Sequence, residues 1–326
     1  MTMRPILCFG EALIDFHPEG TDDHGFARAF VPFAGGGQAN VAVGVARLGG
    51  EAHFVGMLGQ DRFGDFLIDR LQRAGVDTHH VVRTADAPTA LAFVQLDADG
   101  ERSFSFYRPP SADMLFRSEH FRDDAFDGIA LLHACSLSMS EPELAEATRE
   151  GMRRAQAADA LVSFDLNLRP ARWSHHDDPR SVMWSGLELA DLVKLSDDEL
   201  DYLAVDGEDA FLERLWRGRT RLLVVTGGSA PLRWFVRDAD GEMPVYDSAV
   251  IDSTAAGDAF VAGLLHRLVE QDIDARNFDA FIMELPRLHA TLRFAAACGA
   301  ITVTRRGSFA AMPTAKEVET YMDERP

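Results

Sequence analysis

Short apolar runs recur along this chain, at residues 6–10, 53–59, 130–135, 161–164 and 222–228, each ended by glycine or polar residues. Runs of this length without polar alternation suit strands buried on both faces, which in practice means the parallel sheet of an α/β protein. Helical stretches lie between them. Residues 39–48 are rich in Ala and Val and stop at Gly49-Gly50; 61–71 and 286–300 also read as helices. Phe260, Val261, Leu264, Leu265 and Leu268 recur at helical spacing as one buried face. The strand–helix–strand rhythm predicts a mostly parallel central sheet with helices on both faces. Residues 11–16 read as a continuation of the opening strand. The rhythm breaks at residues 87–107, where two alternating runs flank an Asp-Gly turn and predict an antiparallel hairpin appended to the main sheet.

Charge and composition limit the partners. A formal net charge of −20 repels nucleic acid and anionic membranes. Lysine occurs only at Lys194 and Lys316, which excludes the Gly-Lys-Ser/Thr phosphate loop. Cys8, Cys135 and Cys298 match no metal spacing and fit a reducing compartment. The N-terminal apolar run is too short for a signal peptide, and no run approaches the ~20 residues of a membrane span, so a soluble, cytoplasmic protein is expected. The 326 residues show no repeat and no linker, and read as a single domain over 1–326.

The residues with chemistry to offer sit at the ends of these elements. In Asp252-Ser253-Thr254-Ala255-Ala256-Gly257-Asp258, small residues leave the backbone open at the start of a helix, where unpaired N–H groups and the helix dipole favour an anion. Asp258 there is either a base for a hydroxyl beside a phosphate or a helix-start acid favoured by the dipole. Asp15 is either a turn residue or a carboxylate that accepts hydroxyl protons. Gly35-Gly36-Gly37 opens the Ala/Val helix, but Asn40 stands where a dinucleotide fingerprint needs glycine. Asp165, Asn167 and Arg169 follow one strand, and Thr226, Gly227 and Gly228 end another, the end at which open α/β sheets bind ligands. His133 reads as a packed core histidine. Arg108 suits a sugar hydroxyl, a carboxylate, a phosphate or plain solvent.

Two of these stretches resemble the signatures of the ribokinase-like, or phosphofructokinase-B type, carbohydrate kinases: Gly35-Gly36 with Asn40, and Asp252 to Asp258, with Ser253 where Thr is commoner. The resemblance runs from residue 6 to about 313. It implies a three-layer ribokinase-like fold whose small β lid, formed by about 13–34 and 87–107, covers the sugar and pairs two subunits into a homodimer. It implies ATP-dependent phosphorylation of a sugar hydroxyl, with Asp258 as general base and Ala255, Ala256 and Gly257 as the anion hole. Asp15, Gly35, Gly36 and Asn40 would hold the sugar. Lys194 would reach the nucleotide phosphates, with Ser196, Thr226 and Gly228 beside the nucleotide. Glu199, alternatively a helix-start acid, would organise Mg2+ through water. Asp252 would neighbour a monovalent cation such as K+. Ser196 and Ala296 depart from the family's usual Asn. Asp165 to Trp173 resembles the Asp-x-Asn-x-Arg-x-x-x-Trp run of bacterial fructokinases, which makes fructose the expected sugar. The Tyr107-Arg108 segment keeps 2-keto-3-deoxygluconate kinase as the alternative, with Arg108 and Arg169 as carboxylate clamps. A non-catalytic sugar-binding protein on the same fold is a more distant one.

Overall fold

The computed structural model describes residues 3–22, 26–96, 102–107, 110–173 and 178–325. Its strands, in chain order, are β1 (Ile6–Phe9), β2 (Leu13–Thr21), β3 (Ala27–Gly35), β4 (Ala52–Gly59), β5 (Val81–Thr84), β6 (Leu91–Leu96), β7 (Arg102–Tyr107), β8 (Leu131–Cys135), β9 (Leu161–Asp165), β10 (Leu192–Ser196), β11 (Leu222–Gly227), β12 (Ala230–Val236) and β13 (Ala239–Met243). The α-helices are α1 (Gly37–Arg47), α2 (Arg62–Arg73), α3 (Pro142–Ala157), α4 (Pro179–Leu187), α5 (Asp197–Leu203), α6 (Glu208–Leu215), α7 (Ala256–Glu270), α8 (Phe278–Met283), α9 (Leu285–Thr302) and α10 (Ala315–Asp323). None is long and apolar enough to cross a membrane, among the described residues.

Nine strands form the main sheet in the order β13-β12-β11-β10-β9-β8-β1-β4-β5. It is parallel from β5 to β11, as the apolar runs predict. An antiparallel hairpin, β12–β13, closes one edge. Side chains of a strand alternate between faces, and β1 divides accordingly. Ile6 and Cys8 join the core under α1, α7 and α9, while Leu7 and Phe9 join the core on the other face with α3 and α4. Helices on both sides bury the central strands on both faces, giving the three-layer α/β architecture.

The sheet grows from β1 in both directions, to β4 on one side and β8 on the other. Such a reversal opens a crevice at the carboxyl ends of the strands, where ligands of this architecture bind. At that point the chain departs from the sequence expectation. Residues 11–16 do not extend β1; the chain leaves the sheet at Gly10, and β2 starts a second one. Gly10 sits at φ 155°, a backbone that L side chains rarely adopt, and a Cβ there would stand 2.5 Å from Gln38 Oε1 of the passing α1, so the turn favours glycine. Glu11, a carboxylate, has no place in an apolar strand core.

The second sheet has the order β3-β2-β6-β7. β2 pairs antiparallel with β3 and parallel with β6, and β6 pairs antiparallel with β7. These are the segments expected to form the lid; the turn at 97–101 lies outside the described residues. Phe16 of β2 stacks on Phe93 of β6 and meets Phe63 of α2 edge-on, which seats this sheet against the body.

Candidate active site

The site begins with helix packing. Cβ atoms on Gly44 and Gly263 would stand 2.5 Å from Ala262 Cβ and 2.7 Å from Cys298 Sγ. Their absence lets α1, α7 and α9 approach closely. The first turns of α1 and α7 therefore lie side by side at the crevice, and Asn40 Nδ2 donates to Asp258 Oδ2 at 2.7 Å.

Ahead of α7, Asp252 folds the loop: Oδ1 accepts from the Thr254 amide at 2.9 Å and Oδ2 from the Gly307 amide at 3.3 Å. Ala255 then takes a left-handed conformation, φ 61°, that starts the helix. Ala256 N–H bends back to Ser253, while the Gly257 and Asp258 N–H groups donate to nothing among the described residues. Unpaired donors at the positive end of a 15-residue helix are suited to anion binding. Lys194 adds a cation, its Nζ 3.2 Å from where a Gly257 Cβ would stand.

Carboxylates crowd the same crevice. Asp258 is pushed up to about 7, mainly by burial, with Asp165 adding to the rise and the Asn40 hydrogen bond, Arg169 and Lys194 opposing it. A carboxyl group that titrates near neutrality is poised to exchange a proton with a hydroxyl. On β2 of the second sheet, buried Asp15 is also pushed up to about 7, by burial first and then by Asp258, Asp252 and Glu11, against the pull of Arg169. Arg169 itself is exposed.

At the end of β9, Asp165 receives Lys194 Nζ at 3.2 and 3.3 Å, a buried ion pair. Burial works against the charge on Lys194, but Asp165, Glu199 and Asp258 together outweigh it and raise its pKa. Asn167, at φ 44°, donates its amide to Asp165 Oδ1 at 3.3 Å. A Cβ on Gly37 would stand 2.8 Å from Asn167 Nδ2, 3.4 Å from Glu11 Oε1 and 3.8 Å from Asp258 Oδ1. Three polar groups from three elements thus meet around one glycine. Gly35 is similarly placed, with Asp15 Oδ2 at 2.5 Å and Ser308 Oγ at 3.3 Å from its missing Cβ.

Towards the far edge, Ser196 and Glu199 form a reciprocal capping box on α5, and Glu199 Oε1 also accepts the Leu168 amide at 2.6 Å. The helix-start role of Glu199 is therefore real, and it additionally ties the loop after β9 to α5. Thr226 pairs in register with Ser196, and its hydroxyl donates to Leu195 O at 3.3 Å; Gly228 follows at φ 64°. His133 is a packed core residue 3.1 Å from Ser163 Oγ. Arg108 lies outside the described residues.

The structure brings together Asp15, Gly35, Gly36, Asn40, Asp165, Asn167, Lys194 and Asp258. Two more residues belong beside them. Glu11, only 3% exposed, accepts the Gly37 amide at 3.1 Å. Its signal was a lone acid directly after an apolar strand. Ser308 is 1% exposed, and its hydroxyl has no hydrogen-bond partner; nothing local in the sequence marks it.

Comparison with known proteins gives the family. The pfkB family carbohydrate kinase profile matches residues 3–315. Fructokinase-1 of Oryza sativa subsp. japonica is 42% identical over 321 residues, 98% of this chain and 97% of that protein. Among solved structures, a Xylella fastidiosa fructokinase with bound ATP superposes with a TM-score of 0.94 at 54% identity, covering 98% of each chain. A Vibrio cholerae O395 fructokinase in a fructose-, ADP- and calcium-bound form gives 0.86 at 29% identity, covering 98% of this chain and 99% of that one.

Proposed function

The chain belongs to the pfkB family of carbohydrate kinases, and from that premise we propose that it transfers the γ-phosphoryl group of ATP to a hydroxyl of D-fructose. The observation that carries the reading is Asp258: a carboxyl group titrating near neutrality, held by Asn40, on the first turn of a helix with open N–H donors. The sugar hydroxyl sits between this carboxylate and the phosphoryl group. Asp258 takes the proton as the oxygen attacks, while the N–H groups of the 255–257 turn hold charge on the transferred group: that of Gly257 is already open, and that of Ala256 would exchange its 3.3 Å bond to Ser253 O for the phosphoryl oxygen. Positioning and fixed dipoles supply most of the acceleration in phosphoryl transfer.

Asp15, Asn167 and the open backbone at Gly35 and Gly36 bind the sugar hydroxyls. Asn40 Oδ1, buried without a hydrogen-bond partner, suits a hydroxyl donor. Lys194 faces the phosphates, and Ser196, Thr226 and Gly228 line the nucleotide edge. Both Glu199 oxygens already accept backbone amides, which suits a water-mediated hold on Mg2+ better than a direct bond. The magnesium would neutralise the phosphate charge. Asp252 would orient the loop beside a monovalent cation such as K+.

We read the chain as one kinase domain with the second sheet as its lid. Closure of the lid excludes water that would otherwise accept the phosphoryl group. Phe26, Phe30 and Tyr107 are exposed on the lid and support a homodimer formed through it. The test is ADP release with ATP and magnesium, comparing D-fructose, 2-keto-3-deoxygluconate, ribose and adenosine. Preference for fructose supports the reading. Turnover with the keto-deoxy acid alone would replace the sugar while keeping the chemistry.

A further inference from the structure

Outside the kinase crevice, His79 and His80 lead into β5, and Asp124 lies on the short 3-10 turn Asp123–Phe126 that precedes β8. One donor atom from each lies within 4.8 Å of the others. His79 Nε2 is 3.5 Å from Asp124 Oδ2, and His80 Nδ1 is 3.9 Å from Asp124 Oδ1. Asp77 fixes the approach by accepting the His79 amide at 2.6 Å.

His80 is the informative member. It is 6% exposed, and its Nδ1 is buried with no hydrogen-bond partner. A buried polar atom left unpaired is costly and calls for a reason. An ion pair accounts for His79 and Asp124, both about half exposed, but it leaves His80 Nδ1 at a distance too long for a hydrogen bond. In the Nε2–H tautomer this nitrogen carries a free lone pair.

We propose that His79 Nε2, His80 Nδ1 and an Asp124 carboxylate oxygen form a binding site for one zinc-class divalent transition metal ion. Tetrahedral bonds of ~2.1 Å set neighbouring donor atoms about 3.4 Å apart; the two separations present run to different Asp124 oxygens, and one donor atom from each residue lies within 4.8 Å of the others, so small side-chain rotations complete the site. Two imidazoles and one carboxylate suit zinc and its neighbours, whereas magnesium and calcium prefer oxygen alone. The exposed side of His79 and Asp124 leaves room for water as a fourth ligand. Arg122 Nε, 3.3 Å from Asp124 Oδ1, competes for the carboxylate, but it is half exposed and free to swing away. His53 lies behind His80, its ring centroid 5.8 Å away, and pairs with Glu51. The bound ion would clamp the approach to β5 onto the turn before β8.

The test is equilibrium dialysis of the full chain, stripped of metal by chelator, against Zn2+ and separately Co2+. A millimolar excess of Mg2+ keeps the kinase carboxylates occupied by a hard cation. One ion per chain is expected, with the visible spectrum of nitrogen-ligated Co2+. His79→Ala and Asp124→Asn alter exposed side chains, so they should fold, as unchanged fructose phosphorylation would verify; each should weaken binding at least ten-fold. No binding at micromolar free zinc, or equal binding by wild type and both variants, would overturn the proposal.

Discussion

Replacing Asn40 with Leu, close in shape but unable to donate, removes the 2.7 Å hydrogen bond to Asp258 and keeps water out of its place. A hydrogen bond to a charged group is worth about 1.5–3 kcal/mol, and one pKa unit corresponds to ~1.36 kcal/mol. The bond favours the ionised carboxylate, so its loss raises the pKa of Asp258 by ~1–2 units. Asp258 already titrates at about 7, and the basic form is the active one. Activity therefore rises with pH through this pKa, and the variant's rise moves to higher pH. At neutral pH the variant would hold about five- to fifty-fold fewer ionised molecules. The assay is kcat/KM for fructose against pH at saturating nucleotide and magnesium, which reports the enzyme form that meets the sugar. A weakened sugar contact alone lowers the whole curve without moving it. A displaced limb, with partial recovery in alkali, is the expected result. A limb that stays put while activity drops equally at every pH would refute the link between Asn40 and the base.

Three other substitutions probe the supporting structure. Lys194→Met leaves Asp165 buried without its cation, and chemical denaturation should show a loss of ~3–5 kcal/mol; a loss below about 1 kcal/mol would mean the pair is effectively solvated. Ala255→Gly relieves the left-handed backbone at φ 61°. A left-handed L-residue costs ~1–2 kcal/mol and glycine returns ~0.5–1 kcal/mol of that as chain entropy, so a small rise in Tm is expected, and a fall would show that the Ala methyl packs usefully. Gly37→Ala puts a methyl 2.8 Å from Asn167 Nδ2; kcat/KM for fructose should fall at least ten-fold while KM for ATP holds, and wild-type kinetics would remove Asn167 from the sugar site.

Much of this architecture is legible from residues close together in the chain. The apolar runs mark β1, β4, β8, β9 and β11 because a strand buried on both faces needs no polar alternation. The small residues at 255–257 mark the start of α7 because the signature and the helix it opens are contiguous. What stayed hidden depends on distant contacts. Asn40 and Asp258 are 218 positions apart, and only the packing of α1 on α7 shows that one holds the other. Ser308 faces Gly35 and Asp15 through a loop whose sequence carries no motif. The break between β1 and β2 was missed because Leu13, Ile14 and Phe16 continue an apolar pattern. That pattern serves the second sheet, and the switch turns on Gly10 and the buried Glu11. The β12–β13 hairpin, with exposed and half-buried residues in β13, gave too weak an alternation to separate it from loop. Glu199 has two readings from sequence; its capping box and its bond to the Leu168 amide show the structural one, and its part in holding a metal stays a proposal.

The central claim is that Asp258 is the base for phosphoryl transfer, and Asp258→Asn tests it most directly. The substitution preserves shape and still accepts from Asn40 Nδ2, so calorimetry should find fructose and ATP bound with near wild-type affinity. Turnover should fall ~10²–10⁴-fold, the usual contribution of a positioned base. Burial raises this carboxyl's pKa in the folded chain, so ionising it costs folding stability as pH rises through about 7; the neutral variant should match or exceed wild-type Tm in alkali, separating lost chemistry from lost fold. A well-folded Asp258→Asn protein that turned over fructose at the wild-type rate would contradict the account.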